Sequence, residues 1–217
     1  MQPRYFILDK FNTWYDWRCI LTAKSIPPAE PKTSYVEIDG ADGSLDFTEA
    51  LTGKPVYKTR TPAATFMCTE GTHAEREALL RRITTALHGR RIPIIEPDDP
   101  DHYFLGRVVI KSQANNMAYL EFSIEATCDP WRYAINETTR TVPVNGSTDV
   151  VIRNDGDKEL CPVLTVTGAV AITFNGGTKE LSAGTYKIPD LRLPHGVNVV
   201  GVSGAGSVTF TYTEASL

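Results

Sequence analysis

The side chains most able to do chemistry are the histidines and one acidic segment that ends in a histidine. The chain has four histidines, which are His73, His88, His102 and His195. They form neither the HxH nor the HExxH spacing of a metal site. The acidic segment, residues 98–102, reads Asp-Asp-Pro-Asp-His but lacks the alternation and the bidentate glutamate of a calcium loop. We therefore expect a solvated turn there, with no metal ligand, no bound cofactor and no catalytic residue.

Nucleophile and phosphate-binding motifs are also missing from the sequence. The GxSxG motif is absent, and Gly40–Ser44 is glycine-rich but has no lysine at the spacing of a phosphate loop. This segment is typical of a tight turn in which glycines adopt positive φ. The cysteines Cys19, Cys68, Cys128 and Cys161 form no CxxC pair, so isolated buried thiols are expected.

Carbohydrate chemistry stays open on sequence grounds. Glu121 and Glu125 alternate along one strand pattern, which is more typical of a solvated or inter-subunit face than of a hydrolase pair. Exposed aromatic rings could form a sugar-stacking platform, although aromatic residues at strand positions are more often buried. The aromatic residues in question are Phe174, Tyr186, Phe210 and Tyr212.

Composition and charge disfavour several classes of protein. Hydrophobic residues make up 41% and charged residues 22% of the 217 residues, which allows a buried core. The formal net charge is -4 and no Lys/Arg-rich run stands out, which disfavours a nucleic-acid binder. No apolar run approaches the roughly 20 residues of a membrane span. The start, Met1–Tyr5, lacks a signal peptide's apolar stretch, so we expect cytoplasmic synthesis without membrane insertion.

One helix is well marked, at about 73–88. Thr72 followed by Glu75 predicts a capping box at its start. Apolar residues recur at helical spacing from Leu79 to Leu87, and Gly89 follows where a left-handed C-cap is favoured. An apolar stripe of this width is expected to pack on a sheet.

Strand patterns surround this helix in the first part of the chain. The best of them alternates for eight residues and follows Asn115-Asn116, which is typical of a hairpin turn. The predicted strands are Tyr35–Ile38, Ala63–Thr69, Arg91–Glu96, Tyr103–Ile110 and Tyr119–Ala126.

Beyond about residue 138 the sequence changes to short β runs rich in Val, Thr, Gly and Ser. The runs are interrupted at Asn145-Gly146, Asn175–Gly177 and Ser203–Gly206, which we interpret as turns. Such spacing predicts a small β-sandwich, and hence a mainly β chain with two domains, 1–138 and 139–217. The predicted strands are Arg140–Val144, Asp149–Arg153, Val163–Thr167, Val170–Phe174, Thr185–Ile188, Val197–Val202 and Ser207–Tyr212.

Several segments between Ala23 and Trp131 stand in a fixed order that is specific as a set. They are Pro31–Asp46, Thr48–Gly53, Tyr57 with Arg60, Leu87–Arg90, Asp98–Arg107 and Cys128–Tyr133. In this order and spacing they resemble the distal tail protein family of long-tailed, siphovirus-type bacteriophages and prophages. The part beyond residue 138 shares no such segments with the family and resembles it only in being a β-sandwich.

The resemblance implies a structural role at the virion tail tip. A β-rich belt domain, a split barrel or sandwich with one helix, would form a hexameric ring, and a galectin-like β-sandwich would project outward. The ring would join the tail tube protein to a tail-associated lysin or fibre protein and to baseplate or receptor-binding proteins, with DNA only in transit. The motif residues that are candidates for assembly are Gly40, Asp42, Gly43, Glu49, Leu51, Gly53, Gly106, Asp129 and Pro130.

Two functions from other classes remain alternatives to this structural role. One is a carbohydrate-binding adhesin module for host cell-wall polysaccharide, and the other is a glycan hydrolase. Mass in solution separates a ring from an adhesin, and an activity assay on cell walls tests the hydrolase.

Overall fold

The computed structural model describes residues 4–40 and 42–217. Ala41 of the predicted Gly40–Ser44 turn lies outside these residues, as do the first three residues of the segment that disfavours a signal peptide. The described chain is mainly β with one helix, as the sequence predicts. Its elements are β1 (Ile7–Leu8), β2 (Phe11–Asn12), β3 (Ile20–Ser25), β4 (Tyr35–Glu37), β5 (Ser44–Asp46), β6 (Ala63–Cys68), α1 (His73–Leu87), β7 (Arg91–Glu96), β8 (Asp99–Asn115), β9 (Leu120–Ala134), β10 (Thr138–Asn154), β11 (Val163–Phe174), β12 (Gly177–Leu181), β13 (Gly184–Lys187), β14 (Gly196–Tyr212) and β15 (Ala215–Ser216).

The chain divides into two compact units, one ending at Arg132 and one running from Tyr133 to Leu217. Each unit has its own cluster of buried apolar side chains. The domain limits expected from the sequence, 1–138 and 139–217, remain a prediction.

The first unit is built on an antiparallel sheet with the strand order β2-β1-β7-β8-β9-β6-β3. Alternate residues of β6 and β9 are buried, and Phe66 pairs with Phe122 across these strands. Their rings stack with centroids 5.4 Å apart, and Phe6 meets Phe66 edge-on at 5.8 Å. Aromatic pairs of this geometry add about 0.5–1.5 kcal/mol to the burial itself.

Helix α1 packs its apolar stripe into the same core. The predicted capping box is present: Thr72 donates its backbone N–H to Glu75 Oε2 at 2.7 Å, and the Thr72 hydroxyl accepts from the Glu75 N–H at 3.3 Å. Gly89 follows the helix with a φ of 76°. Arg76 is buried and donates to the Asn116 and Met117 carbonyls, which ties the helix to the β8–β9 turn.

The second unit is a five-stranded sheet with the order β10-β14-β11-β12, and β13 also pairs with β11. Its strands differ from the prediction, since β10, β11 and β14 each join two predicted runs into one strand. Asn145-Gly146 and Ser203–Gly206 are therefore not turns, and β12 is absent from the prediction. Asn175-Gly176 is a turn, as predicted, with φ values of 47° and 75° between β11 and β12.

A row of glycines across the three long strands explains why the turn prediction was wrong. Gly146 pairs with Gly204, and Gly168 pairs with Gly206. A Cβ at Gly206 would lie 1.7 Å from a backbone oxygen of the neighbouring strand. Both halves of each long strand bury side chains in one core, so the strands run through this row without a turn. A Cβ at Gly168, Gly204 or Gly206 would lie within 2.3 Å of a backbone oxygen of the neighbouring strand, whereas Gly146 has open space around it. We call the row the glycine belt; it consists of Gly146, Gly168, Gly204 and Gly206.

Candidate functional site

The segment between β3 and β6 forms an exposed arm, which we define as residues 30–58. Its two ends are joined by a bridge between Pro31 and Tyr57, and β4 pairs with β5 as an antiparallel hairpin beyond that bridge. Every described residue from Glu30 to Pro55 except Thr48 is exposed. None of them belongs to the apolar core of the first unit.

Large apolar side chains stand in solvent along this arm. Leu51 is fully exposed, at 100%. Soluble monomers rarely expose contiguous apolar surface beyond a few hundred Å², and larger patches mark interaction sites. The exposed apolar residues of the arm are Tyr35, Val36, Ile38, Leu45, Phe47 and Leu51.

The turns of the arm contain most of the assembly candidates from the sequence. Gly40 and Gly43 have φ values of 82° and 77°, so the positive φ predicted for this turn is confirmed. In the second turn, the Glu49 carbonyl accepts from the N–H groups of Thr52 at 3.1 Å and Gly53 at 2.8 Å, and Gly53 has a φ of 64°.

Local hydrogen bonds give the arm a defined shape without a core. The Phe47 N–H donates to the Ser34 carbonyl at 2.8 Å, and the Ser34 N–H donates to the Thr48 hydroxyl at 3.1 Å. Asp46 accepts from the Thr48 N–H at 2.8 Å, and its hydrogen bonds with Thr48 lower the pKa of Asp46. The apolar side chains are therefore presented on an ordered backbone, which reduces the entropy cost of binding.

Arg60 anchors the root of the arm. Its Nη2 and Nε donate to the Pro27 carbonyl at 2.6 and 3.0 Å, and its Nη1 donates to the Pro130 carbonyl at 3.3 Å. The guanidinium also lies 4.9 Å from the ring centroid of Phe104. Burial lowers the pKa of Arg60. One side chain thus joins the chain entering the arm, the chain leaving it and β9.

The remaining assembly candidates lie around this root. A Cβ at Gly106 would lie 2.3 Å from Sγ of Cys128, so only glycine fits there. Burial raises the pKa of the Cys128 thiol to about 12. Asp129 pairs with Arg91 at 2.7 Å. The structure thus divides the candidates between the arm, with Gly40, Asp42, Gly43, Glu49, Leu51 and Gly53, and its root, with Gly106, Asp129 and Pro130.

The acidic segment 98–102 is paired with basic side chains. Lys24 contacts both Glu96 and Asp98, and its hydrogen bond lowers the pKa of Asp98. Asp99 lies 2.7 Å from His102 and 3.2 Å from Arg132. The predicted turn is shorter than expected, because β8 already begins at Asp99 and only residues 97 and 98 form the turn. Among the described residues no three side chains are grouped as metal ligands.

The second unit has a groove but no exposed aromatic side chain beside it. None of the four aromatic residues considered for sugar stacking is exposed: Phe210 and Tyr212 are buried, and Phe174 and Tyr186 pack partly buried against the core. The groove, of about 520 Å³, is lined by small and aliphatic residues with Glu180. In residues 4–40 and 42–217 there is also no helix long and apolar enough to cross a membrane.

The fold has known counterparts among solved structures. The Dit protein (gp 19.1) of SPP1, described as a paradigm of the hub adsorption apparatus in Gram-positive infecting phages, matches with a TM-score of 0.71 and 15% identity over 100% of both chains. Chains of the phage p2 baseplate in its activated conformation match at 6% identity, with TM-scores of 0.45 with Sr and 0.46 with Ca. These cover 97% and 99% of this chain and 98% of each matched chain.

The sequence itself gives no such match, since neither a family model nor a curated protein matches the chain. The resemblance to distal tail proteins indicated by the ordered segments is confirmed at the level of the fold, over the full length of the chain.

Proposed function

We propose that the protein is a structural subunit of a phage tail tip, which forms a six-membered ring and joins the tail tube to the baseplate or fibre apparatus. The fold shared with the SPP1 Dit protein along the whole chain is the observation that carries this proposal. The ordered sequence segments lead to the same family independently of the fold.

The arm supplies the physical reason for assembly. Six large apolar side chains in solvent favour a partner that covers them, at about 25 cal/mol for each Å² buried. A projecting arm and the surface that receives it are different surfaces, so each copy can bind one neighbour with its arm and receive the arm of another, which is a head-to-tail contact. Such contacts form a ring when the rotation between copies closes.

The root of the arm fits this structural role. The arm lies outside the core, and Arg60 holds it at its base through carbonyls of two other segments. Asp98, Asp99 and Glu96 are held by Lys24, His102 and Arg132, which suits a rigid joint. The partners we propose are other copies of the chain, the tail tube protein, a lysin or fibre protein and baseplate or receptor-binding proteins.

Native mass spectrometry of the purified chain tests the proposal. A species at six times the 23.9 kDa chain mass is expected. A chain ending before Thr139 should keep the ring, because the arm and its root precede that residue. A full-length chain that stays monomeric at all concentrations would contradict the proposal. Tight binding of host polysaccharide by a monomer would favour the adhesin.

A further inference from the structure

The outer part of the arm, residues 33–53, carries charge of one sign, whereas the lysines Lys32, Lys54 and Lys58 lie at its two ends. From Thr33 to Gly53 it contains five acidic residues and neither lysine nor arginine. Across the part of the chain that the structure describes, none of these acids forms an ion pair. The acidic residues of this outer part, all of them exposed, are Glu37, Asp39, Asp42, Asp46 and Glu49.

A second surface of the first unit carries the opposite charge. Arg81, Arg82 and Arg90 surround a shallow depression whose floor is formed by Ala78, Thr85 and Ala86 on the outer side of α1. We call this surface the arginine face. All three arginines are exposed, and within residues 4–40 and 42–217 none of them forms an ion pair. The face therefore combines unpaired positive charge with small side chains that let another chain approach closely.

The helix C-terminus alone would not favour an acidic partner. The free carbonyls there carry partial negative charge and disfavour a nearby anion. Arg107 opposes this effect, because its Nη1 donates to the Gly89 carbonyl just beyond the helix and adds positive charge beside Arg90. The positive charge of the arginine face is therefore supplied by Arg81 and Arg82 on the last two turns of the helix and by Arg90 and Arg107 beside its end.

We propose that the acidic arm of one copy docks on the arginine face of the next copy. This inference rests on the proposed ring, and it names the two surfaces that meet in it. A second copy is the occupant because the chain carries both complementary surfaces and leaves both without ion-pair partners. Opposite charge aligns the arm, and the exposed apolar side chains then bury against the small residues of the face.

A charge swap with rescue tests this docking. The face variant carries Arg81→Glu, Arg82→Glu and Arg90→Glu, and the arm variant carries Glu37→Lys, Asp39→Lys and Asp42→Lys. Each should raise the dissociation constant of the ring at least about 100-fold, because like charges then face each other. A control with Arg140→Glu and Lys187→Glu, both exposed in the second unit, should assemble like the unchanged chain.

Combining the swaps distinguishes docking from general damage. A chain with all six changes pairs a basic arm with an acidic face, so its ring should return. A 1:1 mixture of the two triple variants should form mixed rings, although each variant alone does not. Circular dichroism should stay unchanged in both triple variants, and their melting temperature should match that of the unchanged chain at a concentration at which it is dissociated.

The outcomes separate this inference from the proposed function. If the unchanged chain never assembles, both are overturned. If it forms a ring that the face variant also forms, the docking is overturned while the ring stands. If both variants dissociate and neither combination restores a ring, the arm and the arginine face belong to different contacts, and the docking is again overturned.

Discussion

The arm and the glycine belt both depend on glycine, for opposite physical reasons. At Gly40 and Gly43 a Cβ would meet nothing within 4 Å, so glycine is favoured there because it adopts the positive φ of an exposed turn. At Gly204 and Gly206 a Cβ would meet backbone atoms at 2.3 and 1.7 Å, so glycine is needed there because the neighbouring strand leaves no space for a side chain. The comparison separates an exposed surface, which we propose binds a partner, from a tightly packed row of strands within one unit. Changes in the belt should therefore affect folding, and changes in the arm should affect assembly.

The largest effect is expected in the belt. Gly206→Ala places a methyl group against the Thr167 carbonyl at a φ of 148° and should destabilise the chain by about 3 kcal/mol or more. Thermal unfolding measures this. Gly177→Ala is the matched control, since its Cβ would lie 3.7 Å from the nearest atom, in ordinary contact. Equal melting temperatures for the two variants would show that the belt is not tightly packed.

The root of the arm should give the next largest effect, on folding and assembly together. Arg60→Met leaves the Pro27 and Pro130 carbonyls without their donor, which should cost about 2–3 kcal/mol. Arg91→Met removes a half-exposed ion pair with Asp129 and should cost less than about 1 kcal/mol. Urea unfolding compares the two variants, and an Arg60→Met chain as stable as Arg91→Met would refute the anchoring role.

The turn of the arm should affect assembly alone. Gly43→Val forces a β-branched residue to a φ near 77°, which should weaken the ring by about 1–3 kcal/mol. The melting temperature of the dissociated chain should hardly change, because no core residue touches the turn. Gly43→Asn tolerates positive φ better and should assemble more tightly than Gly43→Val. Concentration-dependent light scattering compares the variants, and identical assembly of all three would contradict the role of this turn.

The smallest expected effect is a pH dependence at the root. The hydrogen bond from Lys24 lowers the pKa of Asp98 in the folded chain. Its contribution is therefore present above the unfolded aspartate pKa of about 3.9 and is lost as pH falls through the lower folded value. Asp98→Asn should therefore lower the stability slightly at pH 7 and change it little at pH 3, so that its stability falls less steeply below about pH 4. Melting temperatures measured from pH 3 to 7 for both chains test this. Melting temperatures that fall by the same amount in both chains below pH 4 would contradict it.

Local patterns in the sequence predict the first unit well. The helix from Thr72 onward was predictable because its capping box and apolar spacing are local signals. The short strands β1, β2 and β5 were missed because each has too few residues to show alternation. Strand β3 has six residues but was missed because its burial does not alternate, and its register shifts between Leu21 and Ala23. In the second unit, a glycine inside a strand has the same sequence signal as a glycine in a turn. The belt depends on contacts between distant strands, which no local pattern contains.

The candidate site was predictable only in part. The ordered segments identified the arm and root residues, and the Gly40–Ser44 turn followed from its glycines. The sequence analysis did not predict that the arm lies outside the core. Adjacent Tyr35 and Val36 gave a hint of this, because both are apolar and neighbouring residues of a strand point to opposite faces, so they cannot both face one core. Arg60 stood among the matched segments without a role, because its carbonyl partners lie 33 and 70 residues away. The arginine face was missed because Arg81, Arg82 and Arg90 form no continuous basic run.

Sedimentation velocity of the full chain beside a chain with a polar arm tests the role of the arm most directly. The variant carries Val36→Ser, Leu45→Ser, Phe47→Ser and Leu51→Ser, all at exposed positions outside the core. The unchanged chain should sediment as a ring, and the variant should sediment as a 23.9 kDa monomer with the same melting temperature as the dissociated parent chain. A variant that still forms the ring, or one that unfolds, would contradict an arm built for assembly.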